Sequence, residues 1–191
     1  GAENVWFRHF QVIVNEKYPE YTTPDFVDWL ERQDEELQDE GRKLGTGIEK
    51  YIKNTAIRTL RILFGDNWDI EIGAIQRECE KRAKEEIEKR YKDGLGRHEI
   101  PWTDMFHVTD YKKIIEKYWA TKPEFLSAEF RSFEEIFSID IGHGFHSKAE
   151  RLKWLSIFNS LRNNWAHEGT KEKGLNREEV SFLQVVNVHL L

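Results

Sequence analysis

An all-α fold is predicted by three features of the chain. Apolar residues recur at steps of three and four almost throughout, only 4 prolines interrupt 191 residues, and capping signatures stand where periodic stretches begin. Thr23-Pro24-Asp25 opens a helix through Phe26, Trp29 and Leu30 into an acidic run ending near Gly41. A second helix is expected after Gly47, with Ile48, Tyr51, Ile52, Leu60 and Leu63 inward, stopping at Phe64-Gly65-Asp66-Asn67-Trp68. The third carries Ile75, Cys79, Ala83, Ile87 and Tyr91 at four-residue steps among many charges. So narrow a stripe buries one side only, and this helix should be long and protruding until Gly94-Leu95-Gly96 ends it.

Past the loop at Pro101-Trp102, one helical face holds Tyr111, Ile114, Ile115, Tyr118 and Trp119. A further core helix is expected through Leu126, Phe130, Phe133 and Phe137. The stretch from Ile141 to Ser147, with Gly142 and Gly144, reads as a joint, and Ser147 with Glu150 three residues on forms a capping box. The helix it starts buries Leu152, Leu155, Phe158, Leu161 and Trp165 and ends at Gly169. Asn176 and Glu179 repeat the signature and open a last helix through Val180, Leu183, Val186 and Leu190.

Composition bounds the rest. A 39% hydrophobic content supplies a core, and residues 1–47 read as a helical extension to a bundle over residues 48–191. A first residue that is glycine points to an excised domain with a tag-derived start. The single cysteine, Cys79, permits no internal disulfide, and no apolar run reaches the roughly 20 residues of a membrane span, so a cytoplasmic protein is expected. Net charge is −6, which argues against a surface that coats nucleic acid generally. Residues 142–177 nevertheless hold seven positive against three negative side chains, +4, leaving −10 for the remainder. A confined anion site fits that distribution better than an extended groove.

Within this basic stretch lies Leu161-Arg162-Asn163-Asn164-Trp165-Ala166-His167-Glu168-Gly169. Arginine grips phosphate in a bidentate fork, and histidine both gives and takes a proton near neutrality. At about 100° per residue Arg162 and His167 stand about 140° apart, whereas Asn163 and His167 share a face, so one helix alone aims the pair poorly. His143, His146 and His107 lack further ligands at defined spacing, and no metal or cofactor is expected. Cys79, on a helical stripe, reads as a small core residue.

Arg162-Asn163 followed by His167 resembles the Arg-polar-x-x-x-His motif of the HEPN superfamily, α-helical domains named for higher eukaryotes and prokaryotes nucleotide-binding. Together with Asp110-Tyr111-Lys112-Lys113-Ile114-Ile115 and Phe64-Gly65-Asp66-Asn67-Trp68, it is similar to a subgroup typified by a transcription-associated quality-control endonuclease. The likeness covers roughly residues 48–191 and implies a four- to five-helix bundle that pairs as a homodimer. It implies a metal-independent endoribonuclease in which Arg162, Asn163 and His167 direct a 2′-hydroxyl onto the adjacent phosphate of single-stranded RNA. His143, His146, Lys148, Lys171 and Lys173 then become RNA contacts near the cleft. A defence or stress-response effector within a larger protein is the setting the family suggests. Two alternatives stay open: a non-catalytic HEPN module binding RNA, nucleotide or a protein partner, and a plain helical dimerisation domain.

Overall fold

The structure is a computed structural model. It describes residues 9–191 apart from 11, 15, 19–23, 126, 143, 145–146 and 167–173; side chains of 24–30 and 164–166 are likewise outside it. Among the described residues the secondary structure is helical, with no strand. The elements are α1 (Pro24–Phe64), a 3₁₀ turn Gly65–Asn67, α2 (Trp68–Glu71), α3 (Gly73–Lys92) and a 3₁₀ turn Trp102–Met105. They continue with α4 (Val108–Lys117), α5 (Phe133–Phe137), α6 (Lys148–Arg151), α7 (Lys153–Ala166) and α8 (Arg177–Leu190). No helix among the described residues is long and apolar enough to cross a membrane.

The first correction concerns α1. Two helices separated near Gly41 to Gly47 were expected, yet 41 residues run without interruption, and the boundary at residue 47 falls inside the helix. Packing overrides the helix-breaking tendency of glycine, which amounts to about 1 kcal/mol per residue. A Cβ on Gly41 would meet the Leu175 Cδ1 atom at 2.4 Å, so glycine there lets the segment before α8 lie against α1. Gln38 completes that seam: its Oε1 accepts from Leu175 N–H and its Nε2 donates to Leu175 C=O, both at 2.7 Å. Gly47 is different. It is exposed and a Cβ would meet nothing, so Gly47→Ala should stabilise the protein by about 0.5–1 kcal/mol. Urea denaturation measures that gain.

Beyond Gly41, α1 is the spine of the bundle, and α4, α7 and α8 pack along it. Ile48, Ile52, Ala56 and Leu60 of α1 meet Ile114 and Ile115 of α4, Leu155, Phe158 and Leu161 of α7, and Val180, Leu183 and Val186 of α8 in one core. Burying each large aliphatic or aromatic group contributes about 1.5–3 kcal/mol, which is what holds these helices together. The caps read from sequence start α6 and α8. Ser147 Oγ accepts from Glu150 N–H at 3.3 Å, and Asn176 with Glu179 forms both halves of its box, at 2.9 and 2.8 Å.

Two further differences have local causes. The helix expected from Leu126 shrinks to α5, because Ser132 and Glu135 form a capping box that starts it there; Phe130 lies outside it, and Leu126 is not among the described residues. Phe133 and Phe137 are nevertheless fully buried, and the indole Nε1 of Trp154 donates to the Phe137 carbonyl at 3.0 Å. Helix α3 behaves as its stripe predicts: Cys79 and Ala83 are its buried positions, and its exposed end carries Tyr91 under the Arg97 guanidinium.

Candidate functional site

Helices α4 and α7 pack antiparallel, and their cross-links advance in step. Lys148, just before α7, donates to the Glu116 carbonyl at 3.1 Å, and Lys112 Nζ meets Ser156 Oγ at 3.0 Å. Moving six residues further along α7 and about one turn back along α4 brings Arg162 opposite the start of α4, where His107 is the N-cap residue. One end of this helix pair therefore gathers the guanidinium and an imidazole. The other end, about 15 Å away at about 1.5 Å per residue over a ten-residue helix, holds Lys148.

Arg162 is fixed from α1. Leu161 beside it is buried, so the backbone is anchored in the core while the guanidinium stands at its edge. Its Nε donates to Glu49 Oε2 at 2.8 Å, a contact across 113 residues of sequence. The two side chains are 31% and 26% exposed, which makes the pair accessible to solvent-borne anions. Because the carboxylate engages Nε, the terminal amino groups of Arg162 have no partner among the described residues. Glu49 thus sets the guanidinium plane, and no described residue occupies its outer edge. Asn163 is half-buried next to it.

One turn further along α1, Lys53 pairs with Asp104 in the 3₁₀ turn before α4. The most enclosed ion pair among the described residues joins α3 to α4: Arg82 donates to Asp110 Oδ2 at 2.5 Å and to the Met105 carbonyl at 3.0 Å. The same Asp110 oxygen accepts the His107 N–H at 3.0 Å, so a single buried carboxylate caps α4 and anchors α3. Exposed pairs such as Lys81 with Glu85, each about two-thirds exposed, contribute almost nothing by comparison.

These charges act on the groups among them. Partial withdrawal from water, then Arg82 and Arg162, hold the His107 imidazole below its ordinary pKa, against the opposing pull of Asp110 and Glu49. His107 is therefore mainly uncharged at neutral pH while remaining on the surface. Burial first, and the Asp110 charge second, push the Cys79 thiol up to about 11, so it stays protonated as a core residue and is no nucleophile. Burial, followed by Glu49, also raises Tyr111, whose ring stacks on Phe106 at 5.0 Å.

Of the residues singled out in the sequence, Arg162 and Asn163 stand together at this cluster. Lys148 does not join them, since it caps the opposite end of α4. His167, His143, His146, Lys171 and Lys173 lie outside the described residues. Glu49, Arg82 and Asp110 were missed, and His107 was weighed only as a metal ligand. The spacing of His107 and Asp110 signals a helix start, but nothing local to Glu49 announces its partner. A groove of about 630 Å³ lies elsewhere, between α3 and the 3₁₀ turn at Trp102, and its lining includes Ala83, Ile87, Ile100 and Pro101. It carries neither imidazole nor guanidinium. No family model, no curated protein and no solved structure matches the chain.

Proposed function

We propose that the chain is a HEPN-type, metal-independent endoribonuclease that cuts single-stranded RNA by attack of a ribose 2′-hydroxyl on the neighbouring phosphate. The observation that supports this most is the bracing of Arg162: a carboxylate on Nε, with terminal amino groups that have no partner among the described residues, at the protein edge. A phosphate bound there accepts two parallel hydrogen bonds, and the guanidinium offsets the charge that grows on its oxygens as the 2′-oxygen adds. His167, five residues on, exchanges protons with the reacting oxygens, and Asn163 orients a phosphate oxygen. Pairing of two copies belongs to this reading, because Arg162 and His167 point about 140° apart on an ideal helix. An effector role within a larger defence or stress-response protein is its biological setting.

The test is cleavage of a labelled single-stranded RNA by the purified protein in EDTA, beside His167→Ala and a DNA of the same sequence. RNA cleavage by the parent protein that is lost in the variant, with DNA untouched, is the expected result. Equal cleavage by both proteins would expose a contaminant. Binding of the RNA without cleavage would leave a non-catalytic module in its place.

A further inference from the structure

We infer that His107 is the proton acceptor of this reaction, a second imidazole supplied by the same subunit as Arg162. The inference rests on the ribonuclease reading above and adds a residue to it. Its basis is the antiparallel register of α4 and α7. With Lys148 at Glu116 and Ser156 at Lys112, the end of α7 that carries Arg162 meets the end of α4 that His107 caps. His107 is solvent-accessible, and its backbone is held by the Asp110 carboxylate, itself pinned by Arg82. The His107 backbone is therefore fixed at the end of the helix pair that carries Arg162, near enough for the guanidinium charge to act on the imidazole.

Transfer through a 2′-hydroxyl needs two proton movements, and one imidazole cannot make both at once. The 2′-hydroxyl proton passes to the unprotonated ring nitrogen of His107 as the 2′-oxygen–phosphorus bond forms. The bond from phosphorus to the 5′-oxygen breaks, and that oxygen takes a proton from the His167 imidazolium. The products are a 2′,3′-cyclic phosphate and a 5′-hydroxyl end, with His107 left protonated and His167 neutral. Charges that act on His107 come from four helices: Glu49 from α1, Arg82 from α3, Asp110 from α4 itself and Arg162 from α7, while the neighbouring Lys53 and Asp104 neutralise each other as an ion pair. Their sum, with partial burial, keeps the ring free of its proton at neutral pH, the state an acceptor requires.

The experiment is single-turnover RNA cleavage in EDTA from pH 5 to 8 by the parent protein, His107→Gln, His107→Ala with and without added imidazole, and Arg162→Ala. The parent rate should be bell-shaped, falling on the acidic side, below the ordinary imidazole range, as His107 gains its proton, and on the alkaline side as His167 loses the proton it must donate. His107→Gln should lose on the order of 10²–10⁴-fold and the acidic limb with it, and imidazole should restore part of the His107→Ala rate. Binding of inorganic phosphate, read by titration, should stay within about threefold in the Gln variant, since Arg162 remains. His107→Gln cleaving at the parent rate while Arg162→Ala is inactive would overturn the inference and leave the ribonuclease reading standing. Lost cleavage with the acidic limb intact and no imidazole rescue would reduce His107 to a helix cap. A parent protein that cuts no RNA would remove both.

Discussion

Arg162→Ala is expected to lower the rate of RNA cleavage by about 10²–10³-fold while leaving the melting temperature nearly unchanged. The first magnitude is that of removing one donor aimed at charge which develops only in the transition state. The second follows from exposure. The Arg162–Glu49 pair is about a third accessible, and ion pairs in that setting are worth no more than about 1 kcal/mol. Arg162→Lys keeps the charge but loses the planar fork, so it should recover only a small part of the rate. Glu49→Gln separates positioning from attraction. Losing the carboxylate frees the guanidinium plane and should slow turnover on the order of tenfold, as small misplacements of a reacting geometry do. The same change removes a negative charge from the anion site, so KM for RNA should fall rather than rise. A merely structural link between α1 and α7 would move stability instead, and neither kinetic constant would part from the other.

Arg82→Ala should be the most destabilising single change at the cluster, by about 2–3 kcal/mol. It strands Asp110, which is 3% exposed, without its cationic partner. Breaking a buried pair from one side costs roughly 3–5 kcal/mol, and the lower figure applies because the Arg82 side chain is itself 24% exposed. Helix α4 would keep its capping carboxylate, but the hydrogen bond from α3 to the Met105 carbonyl would go as well. Denaturation in urea with the double variant Arg82→Ala/Asp110→Asn measures the coupling. Recovery of 1 kcal/mol or more in the double variant, on the scale of about 1–3 kcal/mol for an unpaired buried group, assigns the loss to the stranded charge. Strict additivity would place it in lost packing instead.

Much of this architecture is legible in the amino-acid sequence. Capping pairs at Ser147 and Asn176 and the stripes of α7 and α8 depend on neighbours three or four residues away, and local rules capture them. The break expected at Gly41 failed for the opposite reason. What keeps glycine in that helix is Leu175, 134 positions later, whose methyl group occupies the space a side chain would need. The helix expected through Phe130 failed because aromatic spacing cannot by itself mark a start, whereas the Ser132–Glu135 box does. The candidate site divides along the same line. Arg162 and Asn163 are adjacent in sequence and were found there; the Glu49 carboxylate that orients the guanidinium comes from another helix and left no local trace. His107 showed itself only through its spacing to Asp110, and its relation to Arg162 depends on the register of two packed helices.

The central claim is that an RNA 2′-hydroxyl is the nucleophile at a site built around Arg162. Mapping the ends of RNA cut by the parent protein in EDTA tests it most directly. The account predicts a 2′,3′-cyclic phosphate on one fragment, a 5′-hydroxyl on the other, and no cut where the nucleotide 5′ to the scissile bond is 2′-deoxy. Fragments ending in 3′-hydroxyl and 5′-phosphate, or a cut that survives the missing 2′-oxygen, would contradict it.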